Sequence, residues 1–506
     1  MTRSVHSVRT VPGPTDRVVV VGAGLAGLST ALRLVAAGRK VTVVERAAVP
    51  GGRAGRLSIG GYEFDTGPTV LTMPDLIADA LDCVGERMTD WLDLRPVTPL
   101  YRGFFPDGST LDVLADVEAM AGQIAAVCGP AEAAGYRRFV AFVSELYRLE
   151  MAHFIDRNLD SPLRLLTPAL ARLVALGGAR PLAGKVGQYL HDPRTQRLFS
   201  FQAMYAGLSP YDALALYAVV AYMDTVAGVF APVGGMHAVP VALAGAAGKH
   251  GVRFRYGSTV TGIERSAGRA TAVLTGDGER IPADAVVLTP DLPVAMRTLL
   301  GAEPPKLRYS PSCVVLHVGS TAGYRKIAHH NIHFGRSWGG VFDEVIDRGR
   351  LMSEPSLLIS NPTRSDPSLA PGDNKQTYYV LAPAPHTGWD IDWARIGPRY
   401  RDELVATLEQ RGYTGFGAGI EVEHLVTPAD WAATGLAAGT PFAAAHTLRQ
   451  TGPFRPANLA RGWDNVVFAG SGTHPGVGVP MVLLSGRLAA ERITGPDPTY
   501  RSRAWQ

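Results

Sequence analysis

The sequence predicts an α/β fold: a doubly wound dinucleotide-binding domain, discontinuous along the chain, with an α+β substrate domain inserted into it. Three observations carry that prediction. Val18-Val19-Val20-Val21 runs into the turn Gly22-Ala23-Gly24-Leu25-Ala26-Gly27 near the start. Val466-Val467-Phe468 runs into Gly470-Ser471-Gly472-Thr473-His474-Pro475-Gly476-Val477-Gly478 near the finish, again a β-branched strand, a glycine turn and an apolar helix. Between them lies a long segment with strands and apolar helices of its own, enough chain for a second core.

The first half contains a complete fingerprint for a pyrophosphate. Gly22 allows the tight turn, Gly24 lets the backbone approach the phosphates, and Gly27 lets the helix pack on the strand. Leu25 and Ala26 open that helix, whose unpaired N–H groups attract anions. Leu28, Leu32 and Val35 give it an apolar face and Gly38 stops it. The strand Lys40-Val41-Thr42-Val43-Val44 then delivers Glu45, with Arg46 beside it, and both are assigned to the cofactor. A carboxylate there accepts both ribose hydroxyls and repels a 2′-phosphate. A lone G-x-G-x-x-G is weak evidence, but strand, turn, helix, strand and acid follow here in the required order.

The next residues separate FAD from NAD. Pro50-Gly51-Gly52-Arg53 follows the acidic strand, and Gly61-Tyr62-Glu63-Phe64-Asp65-Thr66-Gly67-Pro68 comes shortly after. In Rossmann flavoproteins of the glutathione-reductase type such a loop wraps the far end of a longer cofactor, so Gly52, Arg53, Gly67 and Pro68 are assigned to FAD. Gly470, Gly478, Val479 and Met481 are assigned to the flavin. The helix opening near Pro480 points its N-terminus at the N1/O2 edge, where negative charge grows on reduction. Val260 matches the position whose backbone meets adenine in this fold.

At 506 residues the chain is long enough for two to four domains. The expected division gives 16–100, 231–300 and 454–496 to FAD, and 101–230 and 301–453 to a substrate domain of apolar helices and a mixed sheet. The stretch 101–230 reads as helical, aromatic and apolar. Strands are expected around 257–261, 269–274, 283–288, 313–318, 356–360, 377–381 and 421–426. The net charge of +4 is mild and the basic residues lack aromatic interleaving, which argues against nucleic acid.

Cys83, Cys128 and Cys313 lie far apart with no C-x-x-C pair, so no disulfide framework or zinc site is expected. Residues 1–16 carry no apolar leader segment, and the longest uncharged apolar run, 213–223, is far short of the roughly 20 residues of a membrane span. The expected location is cytoplasmic. Residues 161–191 contain no Asp or Glu, while Arg164, Arg172, Arg180 and Lys185 are spread among leucines, with Leu166, Leu170 and Leu173 at helical spacing. Two readings stand side by side: a basic amphipathic surface on an anionic bilayer, or an ordinary helix with a solvated face.

Phe64-Asp65-Thr66-Gly67-Pro68-Thr69, Ser368-Leu369-Ala370-Pro371, 378–386 (Tyr-Tyr-Val-Leu-Ala-Pro-Ala-Pro-His) and above all Gly472-Thr473-His474-Pro475-Gly476-Val477-Gly478-Val479-Pro480 resemble the bacterial and fungal phytoene desaturases. The likeness runs from about Val18 to Ile493. One departure is Met481, where a smaller residue is expected after the proline. The resemblance implies an FAD-dependent carotenoid desaturase acting on a C40 polyene, peripherally bound to the cell membrane, with a quinone or oxygen as electron acceptor. A linear hydrocarbon offers no hydrogen-bonding handle, so recognition rests on shape and apolar burial at roughly 25 cal/mol per Å². Flavin takes a hydride and some group must take a proton. No residue declares itself as that base: His474 fits a structural or flavin-contact role better, and His329, His330 and His333 lack metal-ligand spacing. The alternatives are a desaturase or isomerase for a hydroxy- or methoxy-carotenoid, a lipid-carrying binder of the Rab-escort kind, and an amine oxidase.

Overall fold

The computed structural model describes residues 8–497 and Tyr500, without the Arg164 side chain. Residues 1–7, Arg3 among them, lie outside the described residues. Five short strands build a parallel sheet in the order Val466–Phe468, Ala285–Leu288, Arg17–Val21, Lys40–Val44, Arg253–Arg255. The register pairs Val20 with Val43 and Val287, and Val287 with Val467. The two ends of the chain are thus joined in one sheet through a single intermediate strand. Strands buried on both faces read as continuous apolar runs, as Val18–Val21, Ala285–Leu288 and Val466–Phe468 do, while the edge strand Arg253–Arg255 is largely exposed.

Helix packing completes the junction. The helix Leu25–Ala36 lies along the C-terminal helix Val479–Thr494, and the approach is close because Gly486 has no side chain: a Cβ there would stand 2.4 Å from the carbonyl oxygen of Ala26. Ser29 donates to the carbonyl of Leu483 at 2.8 Å and Thr30 to that of Gly486 at 3.1 Å, so hydroxyls on one helix satisfy the other's backbone. A three-stranded antiparallel sheet, Val260–Ser266, Arg269–Thr275 and Arg280–Pro282, flanks the parallel one.

The second sheet has seven strands in the order Ile420–Val426, Ser312–Ser320, Gln376–Ala384, Leu357–Ser360, His330–His333, Tyr101–Phe104, Thr110–Val113. It is mixed: His330–His333 runs parallel to Tyr101–Phe104 and every other pair is antiparallel. The strand Ser312–Ser320 is buried along its whole length between two neighbours. Here the structure corrects the sequence reading of 101–230 as helical throughout. Residues 101–113 form a β-hairpin whose strands alternate buried and part-exposed positions and close the far edge of this sheet. The helical part begins at Val117–Cys128 and Pro130–Glu150, where Asp116 caps the first helix and Pro130 opens the second.

A second correction concerns 161–191, which is no continuous amphipathic helix. It breaks into a short turn Pro162–Leu165 and the helices Pro168–Ala175 and Leu182–Val186, each opened at a proline or just after one. Lys185 is buried, with its ammonium 4.6 Å from the Phe142 ring centroid and donating to Gln188. Its charge therefore belongs to the core, not to a bilayer-facing surface. Among the described residues no helix is long and apolar enough to cross a membrane, and all three cysteines are free.

Candidate active site: two glycine turns closed by an arginine

At the first turn, Gly22 holds a φ of 103° and its missing side chain makes room for the Thr289 hydroxyl, 2.3 Å from where a Cβ would stand. A Cβ on Gly27 would meet the Gly22 carbonyl oxygen at 2.1 Å, the close helix-to-strand contact expected of the third glycine. Gly24 differs. A Cβ there would find no atom nearer than 3.9 Å, so this side of the turn is open. Gly24 leaves the helix Leu25–Ala36 without a side-chain cap, and Gly478 does the same for Val479–Thr494. Each uncapped start offers the first-turn N–H groups that an anion needs.

Glu45 is buried, and its carboxylate accepts from the N–H of Ala23 at 2.7 Å and of Ala47 at 2.9 Å. It therefore braces the glycine turn from behind, and each oxygen keeps a lone pair for a ribose hydroxyl. Replacing it removes two charge-assisted bonds at once. Glu45→Ala is expected to cost about 2 kcal/mol of stability and to weaken FAD retention, as read by urea unfolding with and without added FAD. The Glu45 carbonyl accepts from Ser258 N–H at 2.9 Å, and the Ser258 hydroxyl is buried without a partner two residues before Val260. Arg46 turns outward and donates to the carbonyl of Thr434 at 2.7 Å.

Arg53 joins the two halves. Its guanidinium donates to the Ser471 hydroxyl at 2.6 Å, to the carbonyl of Pro441 at 3.1 Å and to the carboxylate of Asp291 at 3.2 Å. One side chain thus ties the loop after the acidic strand, the end of the middle strand and the C-terminal turn. Gly51 is bridged to Gly24, and a Cβ on Gly52 would lie 3.2 Å from the Gly24 Cα. Gly67 and Pro68 pass directly over this loop: a Cβ on Gly67 would meet the Arg53 carbonyl oxygen at 1.9 Å. Asp65, just before them, accepts from the N–H groups of Met236 and His237, and burial pushes its carboxyl up to about 6.

At the C-terminal turn Gly470 has a φ of 114° and its N–H donates to the Ser485 hydroxyl at 2.9 Å, and a Cβ there would stand 3.8 Å from the Ala26 Cβ. Met481 is half-buried and packs against the main core one turn into the helix. His474 is a backbone anchor: Nε2 donates to the carbonyls of Phe154 and Ile155, both at 3.0 Å, and burial pulls its pKa down to about 4. Sequence reasoning missed Arg455, which is 3% exposed and donates to the carbonyls of Ser471, Thr473, Ala444 and Gln450. Nothing in its Phe454-Arg455-Pro456 context marks it, because its acceptors are carbonyls contributed by distant loops. His329, His330 and His333 are all buried, each held by a hydroxyl, and no metal-holding cluster occurs among the described residues.

The two open turns, the uncapped helix starts and the partnerless Ser258 hydroxyl fit a long dinucleotide laid between them. The family description "flavin containing amine oxidoreductase" matches residues 25–494. A phytoene dehydrogenase of Streptomyces griseus is 59% identical over 96% of this chain and 97% of its own. The chain belongs to the flavin-containing amine oxidoreductases, in their phytoene desaturase branch. A zeta-carotene-forming phytoene desaturase of Myxococcus xanthus is 38% identical over 94% of this chain and 93% of its own. A putrescine oxidase structure aligns with a TM-score of 0.59 at 16% identity, covering 95% of this chain and 99% of that one. That likeness shows the fold, with its FAD-binding Rossmann part and substrate part. The cofactor is FAD and the protein is a flavin-dependent oxidoreductase.

Proposed function

We propose that the protein is an FAD-dependent phytoene desaturase that works at a membrane surface. The observation that carries the reading is the closure of two uncapped glycine turns by Arg53, in a chain 59% identical to a phytoene dehydrogenase. FAD supplies a hydride acceptor when bound. Gly22, Gly24, Leu25 and Ala26 hold its pyrophosphate, Glu45 the ribose, and Val260 the adenine end. Gly52, Arg53, Gly67 and Pro68 wrap the far part of the cofactor, and Gly470, Gly478, Val479 and Met481 hold the flavin. Residues 16–100, 231–300 and 454–496 form the FAD domain, while 101–230 and 301–453 bind the polyene and keep water out.

Incubation of the FAD-loaded protein with phytoene in anionic liposomes, with a quinone as acceptor, tests the reading. Absorption bands of longer conjugated polyenes are expected to grow in. An unchanged spectrum from protein that holds stoichiometric FAD would move the substrate to another carotenoid, such as a hydroxy- or methoxy-carotenoid.

The membrane contact is proposed at the apolar edge formed by Leu163 and Leu166, which are 77% and 76% exposed. Leu448 and Phe454 are also exposed, and a Cβ on Gly452 between them would stand 3.8 Å from Leu159, which brings their loop close to the chain just before Leu163. Arg180 is exposed nearby in sequence, while Arg172 is held by Glu145 at 2.8 Å. Leu163→Glu combined with Leu166→Glu is expected to abolish co-sedimentation with anionic vesicles and to leave FAD content unchanged. Sedimentation equal to that of the unaltered protein would place the contact elsewhere.

A further inference from the structure

Three neighbouring strands of the seven-stranded sheet bring basic loops to one of its ends. Tyr101–Phe104 and His330–His333 run parallel and Leu357–Ser360 runs against them, so the chain entering the first two meets the chain leaving the third. Between these loops lies a cleft of about 260 Å³ lined by Arg102, Arg325 and Arg364, with Thr98, His329 and Ser365 among its other walls. No Asp or Glu among the described residues lines it.

The three arginines are not equivalent. Arg102 is held in place: Nε and Nη2 donate to the Asp112 carboxylate at 2.6 and 2.7 Å, and Nη1 donates to the Lys326 carbonyl at 2.7 Å. Its charge is compensated by that pair. Arg325 and Arg364 are exposed and have no carboxylate partner among the described residues, and Arg364 donates to the Tyr324 carbonyl at a long 3.4 Å. Two uncompensated cations therefore share one cleft, with Lys326 exposed beside them. A concave wall of protein concentrates the field of such charges on an anion.

His329 is a second and independent sign. It is 8% exposed, its Nδ1 shares a hydrogen bond of 2.7 Å with the Ser365 hydroxyl, and its Nε2 has no partner among the described residues. The Nε2 of neighbouring His330 is also partnerless but sealed inside the protein, whereas that of His329 keeps accessible surface at the cleft. Burial and then the Arg364 charge pull the His329 imidazole down to about 4, so the ring is neutral near pH 7. With the Ser365 hydroxyl donating to Nδ1, the hydrogen sits on Nε2, which then donates into the cleft.

We propose that this cleft binds a phosphate group, carried by a soluble ligand or by a lipid headgroup. The guanidinium fork matches phosphate oxygens, and a tetrahedral anion offers acceptors to donors arriving from several sides, where a planar carboxylate offers two in one plane. Arg325 and Arg364 supply the charge, His329 a neutral donor, and Arg102 with Asp112 a fixed wall. The glycine turns assigned to the FAD pyrophosphate contribute no residue to this cleft, so the two sites are separate.

FAD-loaded protein, its pyrophosphate site filled, is titrated calorimetrically with inorganic phosphate at constant ionic strength, and with acetate for comparison. One phosphate per chain is expected, with acetate weaker by about tenfold or more. Arg325→Gln combined with Arg364→Gln is expected to weaken phosphate about tenfold or more and to leave FAD content and melting temperature unchanged. Arg399→Gln combined with Arg461→Gln removes two exposed arginines outside the cleft and is expected to change nothing. A second arm uses glycolipid vesicles given equal negative charge by phosphatidic acid or by oleate. Stronger sedimentation with phosphatidic acid, lost in the Arg325 and Arg364 variant, assigns the phosphate to a lipid. Equal sedimentation with both lipids, beside calorimetric binding, assigns it to a soluble ligand. Failure of both arms overturns the proposal, as does equal affinity for acetate, unchanged phosphate affinity in the Arg325 and Arg364 variant, or an equal loss in the control pair.

Discussion

Gly24→Val is expected to yield a folded, colourless protein, whereas Gly27→Val is expected to be crippled in folding itself. The two glycines belong to one motif, yet their side-chain positions meet different things. At Gly24 a Cβ has only ordinary contacts, at 3.9 Å, with Gly51 and Gly52, so the polypeptide tolerates it and the loss falls on the cofactor. At Gly27 the Cβ overlaps the Gly22 carbonyl oxygen at 2.1 Å and lies 3.3 Å from Val20 Cγ1, both buried backbone or core atoms that cannot yield. Overpacking of that kind costs about 3 kcal/mol or more. Bound FAD per protein, read from the flavin absorbance, together with a urea melt of each apoprotein separates the two. Full FAD content in Gly24→Val, or a normal apoprotein melt in Gly27→Val, would remove the pyrophosphate assignment or the packing argument respectively.

Acid is expected to destabilise this protein steeply between pH 6.5 and pH 4, before ordinary carboxylate titration begins. Burial pulls His317, His329 and His474 from 6.5 to about 4 and His333 to about 3. A group with a depressed folded-state pKa contributes stability above its unfolded value and loses it as pH falls through the folded one. Each of these histidines therefore withdraws about 3 kcal/mol across that window. Asp65 and Asp156, pushed up from 3.8 to about 6, act oppositely, because their contribution is complete below 3.8 and lost as pH rises through 6. Burial likewise lowers His330 and His446 and raises Glu150 and Asp224, two of each sign, so the histidines still outweigh the carboxyls and the net loss is on the order of 5 kcal/mol. Urea unfolding of FAD-saturated protein at pH 7 and pH 5 measures it. His333 stacks on Phe104 at 4.2 Å and bonds the Tyr413 hydroxyl at 3.0 Å, and His333→Gln is expected to make that pH dependence shallower by one proton. An identical slope would mean that His333 titrates normally in the native state.

The sequence by itself determined the elements whose signals are local. The strands Arg17–Val21, Lys40–Val44 and Val466–Phe468, the helix Leu25–Ala36 ended by Gly38, and the glycine turns all stand where valine runs and glycine spacing place them, because backbone sterics and short-range periodicity suffice to specify them. The same locality explains why FAD was legible: strand, turn and acid are one continuous signal. Tertiary structure alone decided the rest. The hairpin Tyr101–Val113 pairs with a strand more than 200 residues away, and such pairing leaves no trace in local pattern. Lys185 looks like any surface lysine until Phe142 and Tyr189 close over it. Arg53 was legible as a cofactor-loop arginine, but its hold on Ser471 and Asp291 was not, since it depends on three segments meeting. Arg455 carries no motif at all. Its role comes from burial, which removes water from its charge and leaves distant carbonyls as its acceptors, and burial is a property of the assembled molecule and not of any stretch of chain.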